Sequence, residues 1–424
     1  MTGDCLRLED LRITPQKTGA QTFSKVSFPI RYGCFSEVRT SDYIFQFNLN
    51  GEIKFIQGRG RRWPHPSEWL KRTVGNDWIY YSTGGYKGVF SLFGEYYLPC
   101  LSYPSNPILR TYAFDDDVFS EALAAWKKTL AQLKSCSRSS ISGEMRALLE
   151  NIAANDENAL RKKADRFHAA LEGPVSVLPP DTRHVDYDVI PLIVADGCLY
   201  NCRFCRVKSG RRFMPRSRED ILLQIQQLKI LYGRDLANYN AIFLGRHDAL
   251  HAPAELIEFA AVNAYEALEL KRSNLKGANL FLFGSVDSFM RATEVFLSRL
   301  NRLPFYSYIN LGLESADPET LLFLGKPVGA ASVRDAYARM NHVNRTYENI
   351  EVSANFVLGE SLPRSHGTAL LKLLENGIDQ TYTKGAVYLS PLENGGTGKE
   401  TLNQFFSFKN LSRLPVFIYL IQRL

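Results

Sequence analysis

The run Tyr187-Asp-Val-Ile-Pro-Leu-Ile-Val-Ala-Asp-Gly-Cys198-Leu-Tyr-Asn-Cys202-Arg-Phe-Cys205 decides how the rest of the chain is read. Tyr187 to Ala195 is mostly apolar and β-branched, and Asp196-Gly197 ends it, which is the pattern of a buried strand feeding a loop. Three of the seven cysteines fall on that loop, whereas Cys5, Cys34, Cys100 and Cys136 are scattered through the first third. Three thiolates on one short loop can converge on a metal centre but cannot supply a fourth ligand. A [4Fe–4S] cubane ordinarily takes four cysteines, so three leave one iron open to a ligand from outside. Zinc is the competing reading. A closed structural zinc site wants four ligands, and the nearest histidines, His184 and His247, are distant in sequence.

Outward from the loop, strand and helix patterns alternate. Strands are expected at about 187–195, 240–245, 278–284, 306–313, 350–358 and 385–389. Helices fill the gaps at about 218–232, 253–270, 287–302, 331–345, 365–376 and 399–409. Six such repeats imply a parallel sheet with helices outside, short of the eight that close a barrel. Functional groups are then expected where the βα loops converge, at the C-terminal ends of the strands.

The C-x3-C-x2-C spacing, with Phe204 before its last cysteine, resembles the signature of the radical S-adenosylmethionine (SAM) superfamily. The resemblance implies an α/β fold, a partial (β/α)6 TIM-like barrel. It also implies a [4Fe–4S] cluster on Cys198, Cys202 and Cys205, with the open iron chelating the amino and carboxylate groups of SAM. Reductive cleavage then yields a 5′-deoxyadenosyl radical, with electrons from a flavodoxin or ferredoxin.

Other segments carry the likeness further. Gly245-Arg246-His247-Asp248 stands where the superfamily often has a Gly-Gly-Glu-like turn, so Asp248 is expected to accept the SAM ammonium and Gly245 to allow close backbone approach. Ser285 either touches SAM or caps the next helix. Leu311-Gly-Leu-Glu314-Ser315 resembles the Gly-x-Glu-Ser segment of enzymes related to oxygen-independent coproporphyrinogen oxidase and the elongator type, which gives Glu314 a hydrogen bond to SAM. Gly325-Lys326 matches that subgroup's Gly-Lys and places Lys326 near the SAM carboxylate; an exposed lysine at a helix end is the plain alternative. Ser353 and Asn355 alternate with apolar residues on strand five and are expected to face cofactor or substrate, with Phe204 near the adenine.

The remaining sequence sets bounds. Residues 1–115 read as a β-rich aromatic domain of unknown role, 116–180 as a helical connector and linker, and 181–424 as the core with a C-terminal extension. Tyr43-Ile-Phe-Gln-Phe-Asn-Leu49 and Glu52-Ile-Lys-Phe-Ile56 flank Asn50-Gly51, a two-residue hairpin signal. The rings of this domain, including Trp63, Trp69, Trp78 and those of 93–103, read as core more than as a base-stacking face. Lys162, Lys163, Asp165 and Arg166 read as a solvated helix face. No stretch reaches the length of a membrane span, the start is not a signal peptide, and seven largely unpaired cysteines suit a reducing cytoplasm. A net charge of +7 is mild. The basic run Arg203, Arg206, Lys208, Arg211, Arg212, Arg216, Arg218 suits docking of an acidic redox protein, phosphates or RNA. The substrate is an unidentified small molecule in this reading. The alternatives are an RNA-modifying radical SAM enzyme and a non-catalytic iron–sulfur or zinc sensor or scaffold.

Overall fold

The computed structural model describes residues 5–8, 10–23, 31–63, 68–82, 98–100, 116–135, 143–205, 210–375, 384–392, 399–419, 421 and 423–424. Its N-terminal part is one antiparallel sheet of eight strands in sequential order: β1 (Leu6–Leu8), β2 (Leu11–Thr18), β3 (Cys34–Arg39), β4 (Tyr43–Phe47), β5 (Ile53–Gly58), β6 (Glu68–Arg72), β7 (Trp78–Ser82) and β8 (Leu98–Cys100). Alternation puts Phe45 and Phe47 on one face, where both rings pack on Trp126, with centroids 5.4 and 5.2 Å away. These rings are core. The rings of 93–103, those of Phe93, Tyr96, Tyr97 and Tyr103, lie outside the described residues.

The β4–β5 connection is longer than the two-residue turn predicted. Asn48 N–H bonds Glu52 O at 3.0 Å, and the Asn48 side chain accepts from the N–H groups of Asn50 and Glu52. This side-chain cap widens the loop. Gly51 takes φ +78° there, and a Cβ would lie 2.8 Å from the backbone of Asn151. The loop also docks on the second half of the chain, since Asp235 accepts from Leu49 N–H and Asn50 Nδ2 donates to Tyr232 O.

Helices α1 (Asp116–Ser135) and α2 (Gly143–Ala154) cover the inner face of this sheet through Ala122, Trp126, Leu130, Leu133, Leu149 and Ile152. Helix α3 (Glu157–Ala170), capped by Asp156, joins two cores: Leu160 packs with the N-terminal sheet, Phe167 with the parallel sheet. On α3, Lys163 is not merely solvated, because it reaches back to Glu52.

The second half is a parallel sheet in the order β17-β16-β15-β14-β13-β12-β9. The strands are β9 (Ile190–Leu192), β12 (Ala241–Leu244), β13 (Asn279–Ser285), β14 (Tyr306–Glu314), β15 (Ile350–Leu358), β16 (Val387–Pro391) and β17 (Val416–Ile418). Six are the predicted ones. The seventh, β17, extends the open barrel by pairing Val416 to Ile418 with Val387 to Leu389. Between β9 and β12, β10 (Ala195–Asp196) and β11 (Met214–Pro215) form a small antiparallel ribbon, which ends the first strand earlier than the apolar run suggested. Helices α4 (Arg218–Tyr232), α5 (Ala254–Ala267), α6 (Val286–Arg291), α7 (Glu294–Leu300), α8 (Pro318–Leu324), α9 (Ala330–Thr346), α10 (Arg364–Glu375) and α11 (Lys399–Leu411) follow the strands. The chain is therefore a partial barrel of the TIM type behind a β-rich antiparallel region. No helix among the described residues is long and apolar enough to cross a membrane.

Candidate active site

The cysteine loop leaves the C-terminal end of β9 and is held at both of its ends. At Gly197, φ is +76° and a Cβ would sit 2.2 Å from Arg212 O, so only glycine lets the β10–β11 ribbon close behind the loop. Arg216 clasps Asp196 with two bonds of 2.8 and 3.0 Å. On the far side Arg203 N–H bonds Leu324 O at 2.9 Å, seating the loop on the end of α8, where Gly325 adopts φ +63° against Arg203. Cys202 is buried and Cys198 and Cys205 are half-buried; none of the three is in a disulfide. They line one cavity of about 640 Å³ at the strands' C-terminal ends. Burial pushes the Cys198 thiol up and the Cys202 thiol up to about 11, and the Lys326 ammonium pulls both back.

Along the cavity wall each strand end adds a polar group. Asp248, after β12, is buried; its Oδ1 accepts from Ser285 N–H at 3.0 Å and Ser288 Oγ at 2.7 Å, and its Oδ2 has no partner. Ser285 caps α6 in a reciprocal capping box with Ser288, and it also lines the cavity. At the end of β14 the register slips between Gly312 and Glu314, and Glu314 takes φ +63°. Ser315 N–H bonds Leu313 O at 2.8 Å, closing a three-residue turn about Glu314. A non-glycine residue in that conformation costs about 1–3 kcal/mol and persists only where its surroundings enforce it. Glu314 Oε1 faces Lys326 Nζ at 3.3 Å, and the ammonium lies 5.2 Å from the centroid of the Tyr200 ring. Lys326 is thus no exposed helix-end lysine: its side chain is 4% accessible.

The floor is a polar network. Asn355 lines the cavity and donates to Asn310 Oδ1, while its own Oδ1 is buried without a partner. Asn310 donates to Ser353 and to Asp181, and Ser353 and Tyr388 also donate to Asp181. Burial pushes the Asp181 carboxyl up against the pull of these donors.

Phe204, Asp248, Ser285, Glu314, Lys326 and Asn355 therefore meet the cysteines around one cavity. Two expected residues do not. Ser353 does not line the cavity, because its hydroxyl is taken up by Asp181 beneath the floor. Gly245 has φ +82°, but a Cβ there would meet Ala249 at 2.8 Å, so its freedom serves the turn of its own chain. Of the basic run, Arg216 is consumed by Asp196 and Glu172, and Arg206 and Lys208 lie outside the described residues. Sequence reasoning missed Tyr200, Asn310, Asp181 and Tyr388. It also missed an uncharged stretch of wall from the C-terminal end, comprising Ser390, Pro391, Leu392, Tyr419 and Ile421. Ser390, Pro391 and Leu392 continue the predicted sixth strand, but Tyr419 and Ile421 carry no local signal.

Whether this cavity suits a cluster with an amino-acid ligand can be judged from its donor set. Three cysteine thiols share it with a buried carboxylate oxygen and a buried amide oxygen, both orphaned. Buried acceptors without donors are costly, and a ligand bearing ammonium and hydroxyl groups would satisfy them. The residues fit.

The sequence profile of the Radical SAM superfamily matches residues 192–374. Among solved structures the chain is similar to a radical SAM methyltransferase from Sphaerobacter thermophilus, at 16% identity and TM-score 0.37, over 55% of this chain and 66% of that one. It is similar to methylornithine synthase (PylB) at 11% identity and TM-score 0.35, over 74% and 78% of the two chains. For the cobalamin-dependent SAM radical enzyme OxsB the values are 19% and 0.36, over 55% and 32%. The chain thus spans under two thirds of the methyltransferase and about a third of OxsB. No curated protein matches it.

Proposed function

From the match of residues 192–374 to the radical SAM profile, we propose that the chain is a radical SAM enzyme that cleaves SAM reductively and acts on a small organic molecule held in the same cavity. A domain of this superfamily takes a [4Fe–4S] cluster and SAM, which together supply a 5′-deoxyadenosyl radical able to abstract a substrate hydrogen. The observation that carries the reading is the convergence on one large cavity of the Cys198, Cys202 and Cys205 thiols, with no fourth cysteine lining it among the described residues, and of orphaned acceptors.

Cys198, Cys202 and Cys205 would hold the cluster. Asp248, with one oxygen fixed by Ser285 and Ser288, keeps its other oxygen for an ammonium. Lys326, steadied by Glu314 and the Tyr200 ring, offers a cation to a carboxylate. Asn355 presents an amide oxygen from a floor locked by Asp181. Val177, Phe283, Val357, Leu392 and Ile421 keep water from the reacting atoms.

A small-molecule substrate is supported by the cavity itself and by the core role of the described N-terminal rings, which leaves Phe45 and Phe47 no face for stacking on bases. Electrons would come from an acidic flavodoxin or ferredoxin on the exposed arginines Arg203, Arg211, Arg212 and Arg218, and the setting would be the cytoplasm. The test is to reconstitute the protein anaerobically, reduce it with dithionite and assay 5′-deoxyadenosine from SAM. Activity that disappears in Cys202→Ala supports the reading. Stoichiometric zinc without iron in anaerobically purified protein refutes it.

A further inference from the structure

The turn about Glu314 is secured from behind by a side chain that has no part in the site so far. We propose that His366, on α10, is a positioning residue: through Ser315 it locks the turn that presents the Glu314 carboxylate to the cavity. This rests on the reading that Glu314 contacts SAM.

His366 is buried and does not line the cavity, so it cannot touch the ligand itself. Its two nitrogens are bound on opposite sides, Nδ1 to Ser315 Oγ at 2.8 Å and Nε2 to Val357 O at 3.0 Å. A carbonyl only accepts, so Nε2 carries the proton and Nδ1 must accept from the Ser315 hydroxyl. That hydroxyl oxygen also accepts Asp317 N–H at 3.0 Å, so Ser315 is used in both directions and held in one rotamer.

The placement matters as much as the bonds. Glu314, the last residue of β14, pairs with Phe356 across the sheet, and Ser315 and Val357 are the residues that follow them in the chain. The imidazole therefore bridges β14 and β15 one step beyond the strained residue, where the β14 register has already slipped. Beyond it, Asp317 caps α8 and takes the Ser365 hydroxyl at 3.0 Å, so the far end of the turn is fixed to the start of α10 as well. Take away the imidazole, and the Ser315 hydroxyl loses its acceptor at the same time as the Val357 carbonyl loses the imidazole N–H. The left-handed residue between Leu313 and Ser315 is then free to relax, carrying its carboxylate away from Lys326. Burial holds the imidazole below its usual range, in the neutral form this bridge requires.

Three variants of the full chain test this: His366→Phe, His366→Gln and Glu314→Gln, each reconstituted anaerobically. SAM affinity, iron per chain and amide exchange across residues 312–316 are measured. His366→Phe should weaken SAM binding about tenfold, speed exchange in 312–316 while the rest of the sheet stays protected, and leave iron content unchanged. His366→Gln, whose amide offers one donor and one acceptor, should recover most of both. Unchanged exchange in 312–316 in His366→Phe overturns the proposal. So does SAM binding within about twofold of wild type in that variant when Glu314→Gln has lost it. If Glu314→Gln binds SAM like wild type, the Glu314 reading falls, and exchange alone then decides whether the latch exists. Should His366→Phe fail to fold, Ser315→Ala removes the same bridge with a smaller void and is read by the same criteria.

Discussion

Replacing Lys326 by methionine separates the stability of the Glu314–Lys326 pair from its use. The two charges lie 3.3 Å apart with side chains 12% and 4% accessible. At an effective dielectric of about 20 their attraction is ~5 kcal/mol. Forming the pair cost each ion its hydration, so the net gain is far smaller, but removing one partner leaves the other buried and uncompensated. Lys326→Met alone should therefore destabilise the apoprotein by about 3–5 kcal/mol. The double variant Lys326→Met/Glu314→Gln buries no net charge and should return to within about 1–2 kcal/mol of wild type. Ligand binding should not follow. A lysine bonded to a carboxylate contributes ~1.5–3 kcal/mol, so SAM affinity should fall roughly ten- to a hundredfold in the single variant and stay low in the double. Urea titration of the apoprotein gives the first pair of numbers, and equilibrium dialysis of reconstituted protein gives the second. A single-variant cost under about 1 kcal/mol, or a double variant that regains SAM affinity, would refute the reasoning.

Other perturbations reach other parts of the site. Gly197→Ala places a Cβ against Arg212 O and forces a left-handed alanine costing about 1–2 kcal/mol before any clash; iron and acid-labile sulfide per chain should fall while the barrel stays folded by circular dichroism. Asp248→Asn keeps the Oδ1 acceptor for Ser285 and Ser288, so stability should change by less than ~1 kcal/mol, yet loss of the charge should weaken SAM about tenfold or more by calorimetry. At the junction between the N-terminal sheet and the barrel, burial pushes the Asp188 carboxyl up, but Lys54 and Lys71 at 3.0 and 3.1 Å together hold it below the ordinary range. A carboxyl depressed in the folded state stabilises above its unfolded value of about 3.9 and loses that contribution as pH falls through the folded value. Denaturation midpoints should therefore drop steeply on acidification below about pH 4, and Asp188→Asn should be less stable at pH 7 with a shallower acid limb.

The strand ends were legible because a charged or amide side chain closing an apolar strand needs a partner, and at the mouth of a barrel that partner is often a ligand. Asp248 and Glu314 are nominated by the resemblance of their turns to those of the radical SAM superfamily, and this physical ground points to the same two residues. What could not be read was the outcome of contacts between distant segments. Asp181 lies in a proline-bounded linker, and nothing local says that Tyr388, some 207 residues on, will donate to it. Ser353 and Asn355 have the same alternation, yet one is drawn under the floor by that aspartate and the other is left at the surface of the cavity. Lys326 follows a helix end, where an exposed lysine is the plain alternative to the resemblance; Glu314 and the Tyr200 ring draw it inward. The seventh strand is only Val416 to Ile418, too short for a period to declare itself, and it exists because Val387 to Leu389 offers an unpaired edge.

These misses share a cause that bears on mechanism. Many of the groups lining the cavity came from strand ends, while Asp181, Tyr388 and His366, which hold them in place, came from a linker, a late strand and a helix. A left-handed Glu314 is unfavourable by itself, so its conformation must be dictated by neighbours that its own segment cannot specify. A sequence motif can therefore nominate Glu314, but the bulge at Gly312, the Ser315 hydroxyl and the packing of α8 decide where its carboxylate lies. The same division applies to the thiols. Spacing alone nominates Cys198, Cys202 and Cys205, whereas the angle at which they meet the cavity is set by Gly197, by the Arg216–Asp196 clasp and by the bond from Arg203 to the end of α8. Changes to those supports should move the site without removing a single group that touches the ligand.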